Sequence, residues 1–200
     1  LLGIEEGVNE LNLSEKIVDP GQAKILAAEL KASRATAVLA SLTLSGNKIT
    51  GTKYDGGWKY VVNLSGFSSL CQVLGKLNEV NLSDCGLGPA SMPELAKIFS
   101  DPSAVLTRVN VLSNPIGADG ADALIEVFEQ NTNLRTLLGI EEGVTEVNLS
   151  NKNVDPGQAK ILAAELKASR AVAVLASLSI SNNKAIGKAG ADPLMDAIRM

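Results

Sequence analysis

Leu77-Asn78-Glu79-Val80-Asn81-Leu82-Ser83-Asp84-Cys85-Gly86-Leu87 is the stretch on which the fold turns. Leu77, Val80 and Leu82 keep the spacing of a short strand, and Cys85 and Leu87 close it into a tight turn. The same spacing returns in Leu39, Leu42, Leu44, Asn47 and Ile49, then in Leu106, Val109, Val111, Asn114 and Ile116, and in Leu175, Leu178, Ile180 and Asn183. Two further stretches, Val8-Leu11-Leu13 and Val144-Val147-Leu149, carry Lys16 and Lys152 where asparagine or cysteine stands elsewhere. A lysine cannot accept a hydrogen bond, so the turn ladder is expected to break there, with both lysines facing solvent.

Working outward, the repeat starts at Val8, Leu39, Leu77, Leu106, Val144 and Leu175 are 31, 38, 29, 38 and 31 residues apart. Such units have room for a helix that returns the chain to the next parallel strand, a crossover needing about a dozen residues. Strands are predicted at 8–13, 39–44, 77–82, 106–111, 144–149 and 175–180, paired in sequence order. Asp19-Pro20-Gly21-Gln22 and Asp155-Pro156-Gly157-Gln158 read as capping boxes with proline at the first helical position. Ser91-Met92-Pro93-Glu94 reads the same way for the third unit. Helices are predicted behind these caps and at about 66–74, 94–100, 120–130 and 190–198.

A longer repeat encloses the short ones. Residues 1–50 return as 137–186, with 40 of 50 positions identical, which marks a duplicated block of structure. Asn114-Pro115-Ile116-Gly117-Ala118-Asp119-Gly120-Ala121-Asp122-Ala123-Leu124 resembles the turn of ribonuclease-inhibitor-like leucine-rich repeats, as does Ile186-Gly187-Lys188-Ala189-Gly190-Ala191-Asp192-Pro193-Leu194. The resemblance covers residues 1–200 apart from two insertions. It implies an α/β fold, a right-handed horseshoe solenoid of about six repeats with a parallel inner sheet and outer helices. It does not bring a ribonuclease partner with it, because that inhibitor's many cysteines and aromatic contacts have no counterpart here.

Two insertions interrupt the array. Residues 51–64 hold Tyr54, Trp58 and Tyr60, three of only six aromatic residues in the chain, so a binding loop is one reading. The other is a turn at Asp55-Gly56-Gly57 that packs its aromatics on the rim, and it has the greater weight. The second insertion, Leu134 to Gly143, is too short for a helical crossover and is expected to be an extra edge segment or loop.

Composition narrows the function. A net charge of -4 and a pI near 5.0 provide no basic footprint for nucleic acid or an anionic membrane. With no histidine and two cysteines, Cys71 and Cys85, no catalytic dyad, metal set or cofactor motif is assembled. Gly46 to Lys53 and Gly86 to Ser91 are repeat turns rather than phosphate-binding loops, and Glu5, Glu6, Glu141 and Glu142 suit solvated turns better than a cation site. The four Asn-Leu-Ser sequons are mainly the strand motif itself. Few cysteines, expected as free thiols, favour a reducing, cytoplasmic setting.

Strand side chains alternate, so residues beside the inner leucines line the concave face. They are Glu10, Asn12 and Ser14; Ser41, Thr43 and Ser45; Glu79, Asn81 and Ser83; Arg108 and Asn110; Glu146, Asn148 and Ser150; Ser177, Ser179 and Ser181. This small, polar, mildly acidic strip suits hydrogen bonding to an extended or basic protein surface, and equally suits plain solvated sheet. The leading expectation is a non-catalytic protein-binding scaffold. A ligand-binding or enzymatic module using 51–64, and a purely architectural array, stay open. Both ends are apolar, from Leu1, Leu2 and Ile4 to Leu194, Met195 and Ile198, which predicts an excised array that self-associates through its ends.

Overall fold

The computed structural model describes residues 7–32, 38–51, 53–54 and 60–199, with Lys53, Tyr54, Tyr60 and Val61 described as backbone. Among the described residues six parallel strands alternate with six α-helices. In order these are β1 (Glu10–Asn12), α1 (Pro20–Ala32), β2 (Ser41–Thr43), a hairpin of β3 (Lys53–Tyr54) and β4 (Tyr60–Val61), then α2 (Ser65–Leu74) and β5 (Glu79–Asn81). They continue with α3 (Met92–Phe99), β6 (Arg108–Asn110), α4 (Gly117–Gln130), β7 (Glu146–Asn148), α5 (Pro156–Ala168), β8 (Ser177–Ser179) and α6 (Gly187–Ile198). Each of the six parallel strands is three residues long, half the predicted length.

β1, β2, β5 and β6 form one parallel sheet in that order, with Leu11, Leu42, Val80 and Val109 in register across it. β7 and β8 form a second parallel pair, Val147 beside Leu178. The expected pairing of β6 with β7 is not made. Residues 136–138 take the edge of β6 instead, where Val109 N–H donates to the Thr136 carbonyl (3.0 Å) and Gly139 N–H to the Val109 carbonyl (2.9 Å). The second insertion is therefore an edge segment, and it ends one sheet before the next begins.

The helices do not share this interruption. α1 packs on α2, α2 on α3, and so on through α5 on α6, over a core of Leu42, Leu82, Leu87, Leu95, Val111, Leu124 and Phe128. Cys85 and Asn114 show why the turns are compact. Asn114 Nδ2 donates to the Leu82 and Val111 carbonyls while Oδ1 accepts from the Cys85 and Leu87 amides. Asn47 and Asn183 repeat this pattern two units away on either side, and Cys85 Sγ, at the same position of the unit between Asn47 and Asn114, reaches the Leu44 carbonyl at 3.0 Å. Lys16 and Lys152 are exposed, as their chemistry requires.

Asp155 and Gln158 make the expected capping box on α5, and Asp19 and Gln22 exchange the same two bonds on α1. Ser91 does not cap α3. A 3-10 turn over Pro89–Ser91 runs directly into the helix and holds Ser91 at helical angles, so its hydroxyl is buried with no partner among the described residues. Within 51–64, β3 and β4 pair antiparallel, with Tyr54 opposite Tyr60. Asn63 N–H donates to the Thr50 carbonyl at 2.7 Å and closes the base of this hairpin. Trp58 and the Asp55-Gly56-Gly57 turn lie outside the described residues.

Candidate functional site

The side chains flanking the buried strand residues form a continuous polar surface along the four-stranded sheet. Ser41, Glu79 and Arg108 stand in one cross-strand row, and Thr43, Asn81 and Asn110 in the next. Leu42, Val80 and Val109 point the other way and are buried. This alternation puts every predicted concave residue of these strands on one face and partly open to solvent. Arg108 and Glu79 form an ion pair at 3.4 Å across neighbouring strands, partly exposed, so it orients the two side chains more than it stabilises the sheet.

The strand-end asparagines are already half committed. Asn12 and Asn81 each accept from a serine amide and hydroxyl two residues on, Asn110 accepts from Leu112 N–H, and Asn148 from Ser150 N–H. Their Oδ1 atoms hold the strand ends in shape, which leaves the Nδ2 donors for a ligand. The same local turn accounts for the sequons, including Asn63 with Ser65.

A groove of about 210 Å³ lies over the middle of this face. Its floor is Ser41, Thr43, Glu79, Asn81, Arg108 and Asn110, and one wall is Gly139 with Glu141. That wall belongs to the second insertion, for which the sequence predicts an edge segment or loop and points to no site. Gly139 has φ +69° and lies so close that an added Cβ would be 2.7 Å from Asn110 Cβ, so only glycine lets the wall stand against the floor. The repetition of Leu-Leu-Gly-Ile-Glu-Glu-Gly was visible beforehand, but its position over β6 depends on a distant residue, Glu165.

Glu165 on α5 is fully buried, and Thr136 Oγ1, Leu137 N–H and Leu138 N–H all donate to its carboxyl, at 3.0, 2.5 and 3.0 Å. Burial pushes its pKa up to about 7, against the pull of the Leu137 and Leu138 amides and the Thr136 hydroxyl. Arg135 extends the brace, pairing with Glu142 at 2.6 Å and donating to the Arg170 carbonyl. The remaining predicted residues are not brought to the groove. Glu10 and Asn12 lie on the far edge strand, exposed, and Glu146, Asn148, Ser177 and Ser179 lie exposed on the separate β7–β8 pair. Tyr54 and Tyr60 are on the hairpin, away from these strands in the order of pairing.

Both cysteines are free. Cys85 is buried and Cys71 half-buried, and burial pushes both thiols up to about 12, so they stay protonated. Among the described residues no group of three or more acidic or cysteine side chains could hold a metal, and no helix is long and apolar enough to cross a membrane.

A comparison with curated proteins finds no match. Leucine-rich repeat domains generally mediate protein–protein interaction. Residues 103–124, which contain β6 and the first half of α4, match the family model described as Leucine Rich repeat, and with the alternation of parallel strands and helices this supports placing the chain in a leucine-rich repeat family.

Proposed function

We propose that this chain is a non-catalytic protein-binding module, a right-handed ribonuclease-inhibitor-like solenoid that takes a partner protein on its concave face. The groove walled by Gly139 and Glu141 is the observation that carries the reading. It presents unspent amide donors from Asn81 and Asn110, hydroxyls from Ser41 and Thr43, and the Glu141 carboxylate beside the Arg108–Glu79 pair. Such a surface suits an extended segment with backbone carbonyls for the amides and a basic side chain for Glu141. It has no aromatic anchor, which favours modest affinity and a wet interface. The free thiols suit a reducing compartment such as the cytoplasm.

The test compares proteins captured by the wild type with those captured by Asn81→Arg and by a helix-side control, Lys97→Glu. Partners lost with Asn81→Arg and kept with Lys97→Glu support concave-face binding. Partners lost only with the control place binding on the helices. A partner retained by both variants but lost with Trp58→Ala favours the loop 51–64 as the binding element.

A further inference from the structure

Helices α1 and α5 have one sequence and two environments. Pro20–Ala32 and Pro156–Ala168 are identical residue for residue. In α5 the face holding Gly157, Lys160 and Ile161 lies against α4. A Cβ on Gly157 would stand 2.1 Å from the Gly117 carbonyl oxygen, Lys160 pairs with Asp122, and Ile161 is fully buried. In α1 the same face is open. A Cβ on Gly21 would meet only Asp19 Oδ1, at 3.2 Å, Lys24 is exposed, and Ile25 is 42 % exposed.

The chain itself therefore shows what fits this face, a helix like α4, and it carries a second such helix in α6. Gly117, Gly120, Ala121, Asp122 and Leu124 are matched by Gly187, Gly190, Ala191, Asp192 and Leu194. On α6 the surface that α4 turns to α5 is uncovered. Ile198 is 56 % exposed where its counterpart Phe128 is fully buried, and Asp192 is exposed.

We propose that copies of this chain associate head to tail, the α1 face of one seated on α6 of the next in the manner of α5 on α4. Gly21 admits the close approach to the Gly187 carbonyl, Ile25 and Ile198 bury one another's surroundings, and Lys24 meets Asp192. The two faces differ, so the contact is heterologous and each copy keeps a free face for a third. It uses the helical layer and is independent of the concave groove.

Sedimentation velocity over a range of concentration tests this on the intact chain. The wild type should rise in weight-average mass above 20.8 kDa, through a dimer and beyond it. Gly21→Leu should return it to monomer while the lone chain keeps its fold, since the added Cβ meets only the Asp19 Oδ1 side-chain atom, at 3.2 Å. Lys24→Asp and Asp192→Lys should each weaken association on the order of tenfold or more, and the double exchange should restore it. A wild type that stays monomeric at its highest soluble concentration overturns the proposal. So does association that Gly21→Leu leaves intact, or a charge exchange that fails to restore it.

Discussion

Asn114 sits at 1 % exposure with donors and acceptors used on both sides, tying the turn of one unit to the strand of the next. Asn114→Ala strands the Cys85 and Leu87 amides in the core, where each unmade bond costs about 1–3 kcal/mol. We expect a loss of about 2–5 kcal/mol, read as a lower urea midpoint. Glu165 is a second buried polar residue, and its effect depends on pH. Its folded pKa of about 7 lies above the ordinary 4.5. The neutral carboxyl is thus favoured in the fold, and its contribution is complete below pH 4.5 and is lost as pH rises through about 7. The full swing is about 3 kcal/mol. Urea titrations below and above neutrality should show this fall in the wild type and a flatter profile for Glu165→Gln, which keeps one acceptor for the Leu137 and Leu138 amides.

Identical helices make a controlled comparison of the element and its setting. Gly157→Ala drives a methyl into the Gly117 carbonyl and should cost about 1–3 kcal/mol through overpacking. Gly21→Ala, the same change in the same sequence, meets only the Asp19 Oδ1 side-chain atom, at 3.2 Å, and should be close to neutral, since alanine is the better helix former by up to about 1 kcal/mol. Equal thermal shifts in the two variants would show that the difference in burial has no energetic weight. The hairpin β3–β4 poses a separate question, because Trp58 divides a rim-packing role from a binding one. Trp58→Ala is expected to lower stability, by about 3–5 kcal/mol if the indole is fully buried, and an unchanged melting temperature would assign it to partner binding instead.

Across the whole molecule the helical layer is continuous and the sheet is not. Leu42 and Val80, central in the four-stranded sheet, are buried, whereas Val147 and Leu178 in the β7–β8 pair are only half-buried. Local opening requires less exposure of apolar surface in the second pair. Amide hydrogen exchange should therefore be slower at Leu44 and Leu82, which donate across the larger sheet, than at Leu149, which donates to Ser179. Uniform protection across all three would mean that the interruption at 134–143 does not divide the array into units of different stability.

Periodicity alone was sufficient for the strands and helices, because each repeat must bury the same aliphatic stripe and the spacing of that stripe is written locally. Leu42, Val80 and Val109 could be placed inward, and Ser41, Glu79 and Arg108 outward, before any coordinates. Lys16 and Lys152 could be turned to solvent from their chemistry. Local sequence did not decide where repetition ends. Leu134 to Gly143 displaces β7 from β6 because Glu165 on α5 accepts from the Leu137 and Leu138 amides and Arg170, just beyond that helix, donates to the Leu134 carbonyl, and such distant bonds leave no periodic trace. Ser91 has the letters of a cap and loses the role to the 3-10 turn before it. The clearest case is Ile25 and Ile161, which share one local sequence and differ in burial because only the second has α4 beside it. Burial belongs to the neighbour as much as to the residue, and neighbours are set by the tertiary fold.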